Sequence, residues 1–93
     1  MEIFLITKEN KMDNWRKMID SEKLRTNDFS NEVHCTIDDI ELNKNFDSDF
    51  GGVEGTPFIL WTEERVYFAL EYDGSEYVGS VPRNPRNEKF THL

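Results

Sequence analysis

Apolar positions along the chain recur at two different spacings, and the change from one to the other marks where helix gives way to sheet. Glu2 to Thr7 alternates Ile3, Leu5 and Thr7 against Phe4 and Ile6, and apolar side chains on both faces predict an interior strand. From Asn10 to Arg25 the period lengthens. Met12, Trp15, Met18 and Ile19 recur at steps of three and four, with Arg16, Lys17, Asp20 and Lys23 opposite, which predicts one amphipathic helix laid on a sheet. Asn10 is the expected cap, with Asp13 in the first turn to suit the helix dipole. Leu24 falls off the stripe, so the helix's end is not fixed by periodicity.

Thr26 to Asn31 is turn-like apart from Phe29, and Val33, Cys35 and Ile37 then alternate as a half-buried strand requires. Asp38 to Asn45 reads either as a brief helical turn carrying Ile40 and Leu42 or as irregular chain. Residues 46 to 56 hold Gly51, Gly52 and Gly55 together with Asp47, Asp49 and Glu54, which predicts a loop. A three-stranded meander follows: Phe58 to Thr62, Val66 to Tyr72 and Tyr77 to Val81, joined by a turn at Glu63 to Arg65 and a hairpin at Asp73-Gly74 that favours positive backbone angles. In the middle strand Val66, Phe68, Leu70 and Tyr72 are expected to meet the helix, with Tyr67, Ala69 and Glu71 on the other face. Pro82 and Pro85 end the sheet and hold Arg83 and Arg86 in an extended tail, residues 82 to 93. The pattern predicts a single α+β domain over residues 1 to 93, with an N-terminal helix packed on an antiparallel sheet of four to five strands.

At 93 residues the chain has room for one small core and for no multidomain enzyme. One cysteine excludes an internal disulfide framework and a Cys-rich zinc module. The longest apolar runs fall far short of the roughly 20 residues a membrane span needs. The opening Met1-Glu2-Ile3-Phe4 lacks the basic region of a secretory signal, so a cytoplasmic location is expected.

The formal charge of -8 is unevenly spread. Residues 1 to 27 carry six bases against five acids, and the tail from Arg83 carries three bases against Glu88. Residues 28 to 82 carry thirteen acids against Lys44 and Arg65, a net of -11. A field of that density repels nucleic acid and anionic membrane and steers cationic partners toward itself. Large basic surfaces belong to proteins that bind DNA or RNA, because they neutralise phosphates with Lys and Arg. Acidity also serves solubility alone, and charge by itself does not separate the two.

Candidate chemistry is sparse. Asp47 and Asp49 before Gly51 and Gly52 look like the start of a calcium loop, but the twelfth position, where such a loop needs a bidentate Glu, is Phe58. The same pair lacks a third group for acid and base catalysis, although a small carboxylate- or metal-dependent hydrolase remains a minor alternative. His34 and Cys35 are neighbours on a strand, so their side chains point to opposite faces and cannot form a thiol and base pair. No catalytic residue, metal ligand or cofactor is expected. Trp61, Tyr67 and Tyr77, bordered by Glu63, Glu71 and Glu76, have the make-up of an interface anchor or of a sheet with a thin second layer. The acidic surround argues against base stacking on those rings.

The segments Phe50-Gly51-Gly52, Glu54-Gly55-Thr56-Pro57-Phe58, Trp61-Thr62-Glu63, Arg65-Val66-Tyr67-Phe68, Tyr72-Asp73-Gly74-Ser75-Glu76 and Val78-Gly79-Ser80-Val81-Pro82-Arg83-Asn84-Pro85 resemble small uncharacterised proteins of tailed phages and prophages. The resemblance covers residues 50 to 85 and implies a genomic setting, with no ligand or catalytic residue to transfer. Small acidic phage proteins include inhibitors of host defence, among them anti-CRISPR and DNA-mimic proteins, so the likeness implies a host cytoplasm as the place of action.

Together these features lead to the expectation of a non-enzymatic inhibitor that binds a basic, nucleic-acid-handling host protein such as a CRISPR effector and blocks its nucleic acid. Asp38, Asp39, Glu41, Asp47, Asp49 and Glu54 would supply phosphate-like charge, Glu63, Glu64, Glu71 and Glu76 would extend it, and Trp61, Tyr67 and Tyr77 would anchor it. No direct contact with nucleic acid or membrane is expected. The alternative is a phage assembly or homo-oligomeric module using the meander edge, and either a monomer or a homodimer is compatible with the sequence.

Overall fold

The computed structural model describes residues 12 to 48 and 54 to 88. The strand expected at residues 2 to 7 and the position Asp49 lie outside them. The elements are β1 (Met12–Asp13), α1 (Trp15–Thr26), β2 (Glu32–Cys35), α2 (Asp39–Leu42), β3 (Phe46–Asp47), β4 (Ile59–Thr62), β5 (Arg65–Tyr72) and β6 (Ser75–Pro82). They form an α+β arrangement in which a four-stranded antiparallel sheet, ordered β2-β4-β5-β6, carries α1 on one face and a two-stranded β1-β3 pair lies apart from it.

α1 starts later than its apolar stripe suggests. Asn14, not Asn10, is the cap: its backbone is extended and its Oδ1 accepts from the Lys17 N–H at 2.9 Å. Asp13 sits ahead of the helix, in register with Phe46, so it contributes nothing to a first turn. At the other end Asn27 adopts a left-handed φ of 61°, its N–H donates to the Leu24 carbonyl, and the Asp28 N–H donates to the Lys23 carbonyl. This Schellman arrangement satisfies the terminal carbonyls, and Lys23 and Arg25 in the last turn suit the dipole.

The core is built on Trp15 and Ile19 of α1, with Leu42, Phe46, Phe58, Leu60, Tyr67 and Val78 around them. Trp15 packs against the rings of Phe46 and Phe58 at centroid distances of 4.9 and 5.1 Å, and its Nε1 donates to the Thr56 carbonyl at 2.9 Å. Gly55 is required by this contact: a Cβ there would lie 2.5 Å from Trp15 Cζ2 and 2.8 Å from Phe46 Cζ. Met12, counted in the helical stripe by spacing, is exposed and belongs to β1, while α2 buries Leu42 and leaves Ile40 in solvent.

The sheet's two faces are the reverse of the sequence expectation. Leu60 pairs with Tyr67 and Tyr67 with Ser80, and these residues face α1 together with Arg65, Val78 and Ala69. Val66, Phe68, Leu70 and Tyr72 occupy the opposite face, in line with Trp61, Ile59, Tyr77 and Val81. The reason is the polar content of the inner face. Thr62, Ser80 and the Tyr67 hydroxyl are buried there because acids on and just after α1 receive their hydrogen bonds, and Arg65 because Ser80 and Glu88 receive its own. Glu22 continues the stripe of Trp15 and Ile19 and is 5% exposed, a buried carboxylate at a position that the period alone assigns to an apolar residue.

Candidate functional site

Two polar assemblies can be built from these elements, one acidic and exposed, the other buried. The acidic one begins at α2. Asp38 precedes the helix in extended conformation and its Oδ1 accepts from the Glu41 N–H at 2.9 Å, so the turn forms around a carboxylate at its positive end. Asp39 and Glu41 occupy the same turn. The Asp39 side chain is 88% exposed and lies 3.7 Å from Arg16, a contact that water and salt screen strongly. Glu41 Oε2 accepts from Thr56 Oγ1 at 2.7 Å, which ties α2 to the segment leading into β4.

That segment brings in the remaining acids. Glu54 accepts from the Asp47 N–H at 3.3 Å, and its own N–H donates to Glu76 Oε2 at 2.7 Å. The Gly55 N–H also donates to Glu76, at 3.0 Å. Glu71 stands directly opposite Glu76 across β5 and β6. Two like charges in that position would repel, and backbone donors relieve them: Glu76 takes the N–H groups of residues 54 and 55, and Glu71 takes the Gly74 N–H at 2.8 Å. Asp73 and Gly74 have φ of 55° and 86°, the paired positive angles that a two-residue hairpin demands.

The donors to Asp38, Glu41, Glu54 and Glu71 given above are neutral groups, so these hydrogen bonds order the carboxylates without cancelling their charge. Thr36, Ile37, Asp38, Glu41 and Thr56 line a cleft of about 430 Å³ within this acidic end. A second cleft, of about 470 Å³, opens between α1 and β6 beside Lys17, Met18, Arg25 and Tyr77, and takes no part in it.

The structure therefore sorts the expected interface residues. It links Asp47, Glu54 and Glu71 through Glu54 and Glu76, and joins Glu41, in one turn with Asp38 and Asp39, to the neighbouring Thr56. Glu63 and Glu64 are exposed in the turn between β4 and β5, at the end of β5 opposite Glu71 and roughly 23 Å from it by strand rise. There Glu63 accepts from the Asn31 N–H at 3.3 Å and the Glu64 carbonyl accepts from the Arg83 N–H at 2.9 Å. Glu76 and Tyr67 are corrections. Glu76 is 5% exposed and holds the 54 to 55 turn from within, and Tyr67 is fully buried, so neither presents itself to a partner. Trp61 and Tyr77 are half-buried on the outer face, with Trp61 tilted against His34 at a centroid distance of 5.5 Å.

The buried assembly was invisible to motif reading. Asp28 receives Ser30 N–H and Oγ on one oxygen, and Thr62 Oγ1 at 2.7 Å and Tyr67 Oη at 2.6 Å on the other. Burial alone would raise its pKa, but the hydrogen bonds from Ser30, Tyr67 and Thr62 outweigh that and bring it to about 2. Burial and donation to Asp28 push the Tyr67 phenol well above its usual range. Beside it, Ser80 Oγ donates to Glu22 at 2.7 Å, Arg25 donates to both oxygens of Glu22, and Arg65 reaches Ser80 and Glu88. The available signal was positional: Glu22 on the buried stripe of α1, and Arg65 two residues from Tyr67 on one face of β5.

Among the described residues no group of three His, Cys, Asp or Glu side chains is placed to hold a metal ion, and no helix is long and apolar enough to cross a membrane. Comparison with known proteins finds no matching family model, no matching curated protein and no matching solved structure.

Proposed function

We propose that the chain is a non-enzymatic inhibitor whose acidic end occupies the nucleic-acid channel of a basic protein. The observation that carries this reading is the Thr56 to Glu41 bridge, with the Glu54 to Glu76 bond beside it: together they gather carboxylates from α2, the 54 to 56 turn and the β5-β6 hairpin into one ordered surface. Ordered carboxylates held by neutral donors resemble a phosphate backbone, and a fixed array loses less entropy on docking than a mobile one. The cleft beside Asp38 and Glu41 suits a Lys or Arg side chain of the partner. The phage-like segments point to a CRISPR effector in the host cytoplasm as the target class.

The test is charge reversal. Asp39→Lys combined with Glu54→Lys and Glu71→Lys should abolish displacement of a labelled DNA duplex from such an effector, while circular dichroism stays unchanged. Retained displacement by the folded triple variant would sink the proposal.

A second reading, self-association through the outer sheet face, is favoured by one observation: Ile59, Tyr72 and Val81 are exposed on that face at 39%, 72% and 38%. Sedimentation separates the two, since an apolar homodimer persists at high salt and the acidic inhibitor is a monomer throughout.

A further inference from the structure

Arg65 begins β5 on the inner face, and its side chain is 3% exposed. Such a cation needs full compensation. Ser80 supplies part of it: Arg65 Nε donates to Ser80 Oγ at 3.1 Å and Nη2 donates to the Ser80 carbonyl at 3.4 Å. The two Nη groups also point at one carboxylate, with Nη1 to Glu88 Oε1 at 3.2 Å and Nη2 to Glu88 Oε2 at 2.7 Å. Arg86 donates to Glu88 Oε1 through Nε at 3.2 Å and Nη2 at 3.0 Å. In a chain of net charge -8, two guanidiniums thus converge on a single anion.

The two halves of this cluster are held very differently. Arg65 and Ser80 are fixed by neighbouring strands, whereas Glu88 is carried six residues beyond the end of β6, outside any helix or strand, with its side chain 31% exposed. Arg65 is built in, and the anion is brought to it together with Arg86. We propose that Arg65 and Ser80 form an oxyanion-binding site that the chain's own Glu88 occupies, so that residues 84 to 88, with Arg86 braced on Glu88, act as a releasable latch over it. The fork of Arg65 fits a carboxylate or a phosphate monoester in two-point contact. While the latch is closed, an external anion competes with a tethered carboxylate at an effective concentration on the order of millimolar or more, which keeps the site closed to dilute ligands. The inference is independent of the acidic end, which lies elsewhere on the fold.

Glu88→Ala tests it, with acetate and inorganic phosphate as probes against chloride at matched ionic strength. The variant should gain a saturable rise in Tm, about 6–11 °C at tenfold excess over Kd, with a matching shift of the Arg65 Nε–H resonance, and the wild-type chain should show neither. The more effective probe assigns the class as carboxylate or phosphate. If Glu88→Ala folds only when acetate or phosphate is present, that rescue supports the site equally. If it does not fold in any of the salts, Arg86→Ala, which loosens the latch and spares Arg65, should show a smaller saturable shift. A response no greater than that in chloride, in whichever of the two variants folds, or an equal response in the wild-type chain, would overturn the proposal.

Discussion

The Tyr67 hydroxyl donates to Asp28 Oδ2 at 2.6 Å, across 39 residues of sequence and inside the protein. This bond joins the end of α1 to the centre of the sheet, and it explains why the face of β5 that carries a Tyr and an Arg is the one turned inward. A buried phenol and a buried carboxylate each cost free energy alone, and together with Thr62 and Ser30 they satisfy one another.

Acid should weaken the fold through Asp28. Its pKa falls from 3.8 to about 2 on folding, so the carboxylate contributes stability that is present above pH 4 and is lost as pH drops toward 2. The size of the effect is about 2 kcal/mol. Urea unfolding followed by tryptophan fluorescence should show this loss between pH 4 and pH 2 in the wild-type chain. Asp28→Asn should be less stable at neutral pH and lose less over that interval, the remaining loss belonging to Glu32 and Glu88, whose carboxyls basic side chains hold below their usual range.

Tyr67→Phe removes one donor and leaves Asp28 with Ser30 and Thr62, so it should cost about 1–2 kcal/mol at neutral pH. Asp28→Ala strands the Tyr67 and Thr62 hydroxyls and should cost about twice that. A double-mutant cycle on Asp28 and Tyr67 is expected to show coupling of about 1 kcal/mol or more, and strict additivity would contradict the shared network.

Gly55→Ala places a methyl group against the Trp15 and Phe46 rings. The loss should be about 1–3 kcal/mol, with a lowered Tm and a red shift of tryptophan emission as Trp15 is displaced. An unchanged Tm would mean that the 54 to 56 turn yields without cost, and would weaken its role in ordering the acidic end.

The acids should divide into two classes. Glu76→Gln loses charge-assisted bonds to the Glu54 and Gly55 N–H groups and should destabilise by about 1–3 kcal/mol. Asp39→Lys is solvent-exposed and should change stability by less than about 0.5 kcal/mol. Chemical denaturation of the two variants side by side checks the distinction.

Local signals carried much of the fold. Asp73-Gly74 announces its hairpin because few other pairs tolerate two positive φ angles, and the spacing of Trp15 and Ile19 announces the helix. What sequence could not settle was tertiary. Asn10 and Asn14 are both good caps, and the pairing of Met12 with Asp47 selects Asn14 by drawing residues 12 and 13 into a strand. A strand's period of two shows that β5 has two faces without saying which is inside, and hydropathy pointed to Val66 and Phe68 because the acids that satisfy Arg65 and Tyr67 are distant in sequence. The acidic end was legible as composition. Its assembly was not, since Thr56 to Glu41 and Glu54 to Glu76 are contacts between segments 15 and 22 residues apart.

The central claim, that carboxylates of α2, the 54 to 56 turn and the β5-β6 hairpin compete with nucleic acid, is tested most directly by salt. Fluorescence anisotropy of a labelled duplex on a CRISPR effector, titrated with the wild-type chain at about 50 mM and about 300 mM salt, gives the inhibitor's apparent affinity at each. The account predicts displacement that weakens at least tenfold at the higher salt and disappears with the Asp39, Glu54 and Glu71 reversals. Displacement that is equally strong at both concentrations, or that survives the reversals, would contradict it.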